Sequence, residues 1–266
     1  MEFIRLNSGG AMPMIGLGTW QLRGKEGKTS ILAALEAGYR LLDTAQLYEN
    51  EEIVGAAVRE SGIAREALFL TTKLSRACAT EEETLRSIED SLGRLGQDYV
   101  DLLLLHEPYE TDAVMYRAME KAVRRGLVRA IGVSNYQPEE LQPLLSRAEI
   151  RPAVDQAESH VFNMRRQTKQ KLEAQGIVLQ SWAPFAEGKK DIFRNPVLLR
   201  IGERYGKTAA QVALRVLVQN GIPVIPKSSH PERMRENLAL FDFALTGEEL
   251  RAAAGLDEKH SLFGWD

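Results

Sequence analysis

Cysteine is almost absent from this chain, which has 266 residues and a single thiol, Cys78. One cysteine excludes an intramolecular disulfide and a cysteine-built zinc cage, and it suits a reducing cytoplasm. Long apolar runs are missing too. No stretch approaches the ~18 apolar residues of a membrane span, and the opening MEFIRLNSGGAMPMIGLG has no apolar leader core. A soluble, cytoplasmic protein is expected. Positive charge is not in excess, because 34 Lys and Arg face 37 Asp and Glu, a formal net charge of −3. That excludes non-specific nucleic-acid binding, which needs a basic face, so any bound phosphate must meet a local basic cluster. The four histidines form no H-x-H or H-E-x-x-H pair, and no metal site is expected. No Pro/Ser-rich linker or low-complexity segment interrupts the chain, so residues 1–266 read as one domain.

What the chain does have is alternation. Short apolar runs recur as MIGLGTW, RLLDTA, LFLTTKL, VDLLLLH, VRAIGVS, PAVDQ, IVLQSWA and IPVIPKS. Each is short enough for a strand buried on both faces. Between them lie amphipathic stretches such as EEETLRSIEDSLGRLG and DAVMYRAMEKAVRRG, with Gly38, Gly126 and Gly176 as helix stops. Two further short strands are expected around the NSGG turn near the start. Strand–helix repetition means a parallel sheet with helices outside. Polar residues decide between an open sheet and a closed barrel. Asp43, Lys73, His106, Ser134, Asn135, Gln156, Trp182 and Lys227 fall at or just beyond the C-terminal ends of successive runs. An open sheet concentrates its site at one switch point, whereas a (β/α)8 barrel gathers residues from every strand end into one mouth. The fold is read as an α/β (β/α)8 barrel with an N-terminal β-hairpin.

Asp43, Tyr48, Lys73 and His106 together suit delivery of a proton to an oxygen gaining negative charge. Asp43 keeps Lys73 charged despite burial. A lysine charge about 4 Å from a phenol is worth roughly 4 kcal/mol at an effective dielectric near 20, enough to lower the phenol's pKa by up to ~3 before burial offsets part of it. His106 can donate to a carbonyl oxygen and orient it. Gly16 and Gly18 in GLGTW lack the third glycine of a dinucleotide-binding turn, so that reading is discounted.

Three stretches then carry a resemblance in order and spacing: GYRLLDTAQLYENEEIVG, GLVRAIGVSNY and IPKSSHPERMRENLA. The chain resembles the aldo-keto reductase family from end to end. The resemblance implies a barrel that binds NADP(H) without a Rossmann motif and reduces aldehydes and ketones, with a monomer expected. By position it makes Tyr48 the proton donor, Lys73 and Asp43 the residues that tune it, and His106 the one that orients substrate. Ser134, Asn135 and Gln156 are similar to the family's nicotinamide carboxamide ligands, and Trp182 to its stacking aromatic. Lys227, Ser228 and Arg233 match the 2′-phosphate site, and Glu236 and Asn237 would face the adenine. Trp20 resembles the apolar pocket wall.

Departures bear on substrate. Glu107 follows His106 where many relatives carry a bulky ring, giving a polar wall. Ser159 stands where a tyrosine is common, and Ala183 replaces a frequent serine and removes one pyrophosphate contact. A short connection after His106 and a short HSLFGWD tail lead to the expectation of an open pocket and broad specificity for small carbonyls. Two other classes are weighed against reduction. A Schiff-base aldolase would use Lys73 as nucleophile, which Asp43 opposes by keeping the amine protonated. A non-catalytic, cofactor-binding barrel is the other, and the retention of all four catalytic positions speaks against it.

Overall fold

The alternation of apolar strands and amphipathic helices builds a barrel. A computed structural model describes residues 1–265. Two short strands, β1 (Phe3–Arg5) and β2 (Ala11–Pro13), pair antiparallel across the NSGG turn, as expected. Seven parallel strands follow in chain order around one sheet: β3 (Leu17–Gly18), β4 (Leu41–Asp43), β5 (Phe69–Leu74), β6 (Val100–Leu105), β7 (Val128–Ser134), β8 (Val154–Glu158) and β9 (Val178–Trp182). The outer layer comprises α1 (Gly24–Ala37), α2 (Glu51–Glu60), α3 (Glu81–Leu95), α4 (Asp112–Arg124), α5 (Pro138–Leu145), α6 (Arg166–Glu173), α7 (Pro196–Tyr205), α8 (Ala209–Gln219), α9 (Pro231–Leu238) and α10 (Gly247–Ala254). Local chemistry sets several helix starts. Thr80 with Glu83 and Thr208 with Gln211 form capping boxes at α3 and α8, each satisfying backbone donors that the first turn leaves unpaired. Gly38, Gly126 and Gly176 all take positive φ beyond helix ends, as stop signals require.

The eighth run, IPVIPKS, forms no strand. Pro223 and Pro226 flank Val224 and have no N–H to give a ladder, so the segment is reduced to bridges. It still closes the barrel: Val224 donates to the Met14 carbonyl and accepts from Gly16, while Ser181 donates to the Pro223 carbonyl on the other side. This closure explains the two glycines of GLGTW. A Cβ on Gly16 would lie 2.1 Å from the Leu41 side chain, and one on Gly18 would lie 2.7 Å from the Ile225 carbonyl oxygen. Gly16 thus leaves room for Leu41, and Gly18 for the close approach of the Ile225 carbonyl at the seam.

Inward and outward positions alternate along each strand. Met12, Leu41, Leu102, Leu104, Ala130, Val154 and Ile225 belong to the smaller of two apolar clusters, and the larger lies between sheet and helices. At the N-terminal end of the strands, buried Asp101 accepts from the Leu70 N–H at 3.0 Å, from Arg65 at 2.8 Å and from Arg129 at 3.0 Å. The Tyr99 ring is held between those two guanidinium groups, 4.0 and 3.9 Å from its centroid.

One acid sits badly. Asp155, on β8, is fully buried, and neither carboxylate oxygen has a side-chain partner among the described residues, the Tyr136 backbone N–H being its nearest donor. Burial pushes it up to about 8, with the Arg165 charge opposing only in part. The folded state therefore holds a proton that the unfolded state releases between its ordinary value and about 8, so stability falls as pH rises through that window. Asp155→Asn removes the penalty. Each tenfold change in proton affinity corresponds to about 1.36 kcal/mol, so the variant should gain up to a few kcal/mol over the natural protein near pH 8 and little near pH 4. Thermal unfolding across that range checks it, and a pH-independent offset would mean that the carboxyl does not titrate in this way.

Candidate active site

The C-terminal ends of the strands deliver the polar residues to one cavity of about 520 Å³. Asp43 ends β4 and Lys73 lies near the end of β5, and both are essentially inaccessible to solvent. Lys73 donates to Asp43 Oδ1 in a buried ion pair. Its other donations go to the Thr44 carbonyl oxygen at 3.1 Å and the Tyr48 hydroxyl at 3.3 Å. An ammonium has three hydrogens, and all three are committed. Tyr48 comes from a single 3₁₀ turn (Gln46–Tyr48) after β4 and is only partly buried. Burial disfavours Lys73's charge, yet the Asp43 carboxylate and the phenol outweigh it and raise the ammonium's pKa.

The expected lowering of the Tyr48 pKa is not borne out. Burial raises it, and the Lys73 charge offsets only part of that rise, while Asp43 adds to it. The ion pair is close to neutral as a whole, so Asp43 cancels part of the field that Lys73 exerts on the phenol. His106, one residue past β6, packs its ring edge-on to Tyr48 with centroids 5.7 Å apart. Its Nδ1 lies 2.7 Å from Ser75 Oγ. Burial, then the Lys73 charge, pushes His106 down to about 3, so the imidazole is neutral at ordinary pH.

Asp43 binds a second partner. Its Oδ2 accepts from Gln156 Nε2 at 2.7 Å, and the same nitrogen donates to Gln180 Oε1 at 2.8 Å. Asn135, in the left-handed conformation at φ 64°, accepts from Trp182 Nε1 at 2.7 Å. Its Nδ2 donates to Ser134 Oγ and to the His106 carbonyl. The indole of Trp182 is thereby held at the cavity, backed by the Phe263 ring at 5.4 Å. Ser134, Asn135, Gln156, Trp182 and Lys227 all line this cavity.

The basic cluster lies beside α9. Lys227 and Arg233 are exposed, and neither forms an ion pair among the described residues. Ser228 is buried and accepts from the His230 backbone N–H. Glu236 and Asn237 are already engaged. Glu236 accepts from the Thr208 hydroxyl at 2.5 Å, and Asn237 is buried with its side chain on the Tyr39 hydroxyl.

Trp20 lines the cavity, 4.9 Å from the Tyr48 ring. Glu107 does not: it is exposed and absent from the lining, because the chain turns outward after His106. Ser159 is buried away from the cavity as well. The tail reaches the mouth instead of leaving it open. Glu158 accepts from Ser261 and from the Leu262 N–H, while Arg165 and Gln137 both donate to the Trp265 carbonyl, which sets Trp265 in the lining. Leu47, Glu187 and Trp265 in the lining, and Ser75 and Gln180 behind His106 and Gln156, are neighbours of the site that no motif in the sequence singles out. Strand alternation could have found Gln180, two residues before Trp182 on the same face. For Trp265 there was no signal.

A proton-bearing phenol beside a buried ammonium, a neutral imidazole facing it and an amide-rich wall leading to a basic cluster meet at one cavity, and the chain as a whole is similar to known proteins in sequence and fold. Residues 14–258 match the model of the aldo/keto reductase family. Glyoxal reductase of Bacillus subtilis is 42% identical over 251 residues, covering 94% of this chain and 90% of that protein. An aldo-keto reductase from a Medee basin deep-sea metagenome superposes with a TM-score of 0.95 at 38% identity, covering 98% of this chain and 97% of the other. The Bombyx mori aldo-keto reductase in complex with NADP gives 0.91 at 32% identity, covering 98% and 94%. Among the described residues no helix is long and apolar enough to cross a membrane, and no cluster could hold a metal ion. With a matched family model over nearly its whole length and relatives of this identity, the chain belongs to the aldo/keto reductase family.

Proposed function

We propose that this protein reduces small aldehydes and ketones with NADP(H), with Tyr48 as the proton donor and residues 1–266 acting as one cytoplasmic unit. The commitment of Lys73's three hydrogens to Asp43, Thr44 and Tyr48 at the cavity carries the reading. It also opposes an aldolase, because a fully buried, ion-paired ammonium has no lone pair to attack a carbonyl.

The residues present fit the cofactor. Gln156 Oε1 accepts nothing among the described residues, Lys227 and Arg233 have no internal anion, and the Trp182 ring is fixed at the cavity. Ser134, Asn135 and Gln156 would hold the carboxamide, and Lys227, Ser228 and Arg233 would hold the 2′-phosphate where α9 begins. Glu236 and Asn237, proposed to face the adenine, have their side chains engaged with Thr208 and Tyr39. Bound there, the nicotinamide supplies a hydride. The chain supplies the proton and the orientation. Tyr48 holds its proton at neutral pH because burial disfavours the phenolate. As negative charge grows on the substrate oxygen, Lys73 steadies the phenolate left when Tyr48 gives up that proton. His106 cannot be the acid, being already neutral. Nδ1 lies 2.7 Å from the Ser75 hydroxyl, and in the tautomer in which that hydroxyl donates to Nδ1, Nε2 carries the ring hydrogen and can donate to the same oxygen. The named activity of the Bacillus subtilis relative, reduction of glyoxal, fits a cavity with Trp20 and Trp265 as apolar walls and Glu187 as a polar one.

Tyr48→Phe should lower kcat by at least the ~10²-fold typical of a lost general acid, with little change in NADPH affinity. The natural protein's kcat should stay level between about pH 5 and 8, because neither His106 nor Tyr48 titrates there. Steady-state assays of NADPH oxidation with a simple aldehyde read both, and a variant retaining most of its activity would remove Tyr48 from the role.

Cofactor choice gives a separate expectation. A hydrogen bond to a charged group is worth about 1.5–3 kcal/mol, so losing one weakens binding roughly 10- to 150-fold. Arg233 is exposed, forms no ion pair among the described residues and can contact a phosphate in two-pronged fashion. Arg233→Ala should raise the NADPH Kd within that range and leave NADH nearly unchanged. Titration of both cofactors by tryptophan fluorescence decides it, and equal affinities of the natural protein for the two would refute the NADPH preference.

A further inference from the structure

The barrel interior contains a polar side chain for which the proposed chemistry has no use. Gln180 lies on β9, with no solvent exposure and no place in the cavity lining. Its Oε1 accepts from Gln156 Nε2 at 2.8 Å, and among the described residues its own amide nitrogen reaches only the Met12 sulfur at 3.7 Å. A thioether is a weak acceptor. An amide buried with so poor a partner is costly to keep, and its one good hydrogen bond is to Gln156.

The orientation of Gln156 follows from donor and acceptor chemistry. Asp43, ion-paired with Lys73, is an ionised carboxylate and can only accept. Gln156 must therefore turn its nitrogen, not its oxygen, toward Asp43 Oδ2. That amide nitrogen has two hydrogens. One goes to Asp43 and the second to Gln180, so Gln156 has no hydrogen left and can offer the cavity only its acceptor oxygen.

We propose that Gln180 is a positioning residue that makes Gln156 an acceptor-only wall of the cofactor cavity, so that the wall receives an uncharged carboxamide N–H and rejects a carboxylate at the same place. The assignment rests on the reading of the cavity as the NADP(H) site. Asp43 decides which end of the Gln156 amide faces inward, and Gln180 takes up the hydrogen that would otherwise be free to swing toward the cavity. The same three-residue chain joins the cofactor wall to the carboxylate that holds Lys73. Without the Gln180 oxygen, Gln156 regains a free N–H and can satisfy an anion.

The test compares binding of NADP+ with that of nicotinic acid adenine dinucleotide phosphate, in which a carboxylate replaces the carboxamide. Affinities are read by quenching of tryptophan fluorescence, with no turnover required. The natural protein should bind NADP+ at least about 10-fold more tightly than the acid analogue, the lower end of what a hydrogen bond to a charged group is worth. Gln180→Leu keeps the volume and removes the acceptor, and should bring the ratio down toward unity, chiefly by tighter binding of the acid. Gln180→Glu keeps an oxygen facing Gln156 Nε2 and should retain the ratio within about threefold, whereas a merely structural role would make both variants lose affinity for both ligands alike. If Gln180→Leu does not fold, the ratio in Gln180→Glu decides, with retention supporting the assignment and loss overturning it. Unchanged discrimination in a folded Gln180→Leu protein overturns the role of Gln180 alone. Failure of NADP+ to bind the natural protein overturns the cofactor reading and this inference with it.

Discussion

Everything at the mouth of this barrel depends on one buried ion pair. Placing Lys73 and Asp43 out of solvent costs several kcal/mol per ion, and only close mutual attraction with full hydrogen bonding offsets it. Both conditions are met. Lys73 has each of its hydrogens placed, and Asp43 has one oxygen on Lys73 and the other on Gln156. Removing either partner would strand the other's charge at the floor of the cavity. Tyr48 and Gln156 are located by their bonds to this pair, so the phenol proposed as proton donor and the amide wall share one electrostatic anchor.

The rigidity of that anchor contrasts with the parts around it. Asp43, Lys73, Ser134 and Gln156 sit on strands bonded to neighbours on both sides, which fixes them to the geometry of the sheet. Tyr48, Trp20, Glu187 and Trp265 sit on turns and connections. On the proposed reading, reactive groups come from the framework and its nearest turn, while several walls of the cavity come from loops. A division of this kind lets one proton-transfer arrangement serve different carbonyl compounds by changes in loops alone.

Much of this was legible in the chain itself. Seven of the eight apolar runs are strands, the hairpin lies where its turn residues put it, and the polar strand ends meet in one cavity because alternation and barrel closure leave them nowhere else to go. The eighth run misled because its Val and Ile content speaks for a strand while Pro223 and Pro226 remove the donors that a strand needs. Glu107 misled for another reason: adjacency to His106 in sequence says nothing about where the chain turns next. The direction in which the Tyr48 pKa moves depends on how deeply the ring is covered and on Asp43 cancelling part of the lysine's field, and both are properties of the assembled site. Trp265 enters through contacts more than 100 residues away along the chain, at Glu158 and Gln137, which no local pattern encodes.

The opposite end of the barrel is equally well fastened. Asp101 with its two arginines, and Tyr99 between them, tie β6 to β7 and to the turn before β5. None of these residues touches the cavity at the mouth. Effects of substitutions at sites separated by more than ~10 Å with no shared partners add almost independently. Selection can thus adjust the durability of the molecule at one end while it explores new chemistry at the other, and a lineage built on this frame can diversify its reactions without eroding its foundations.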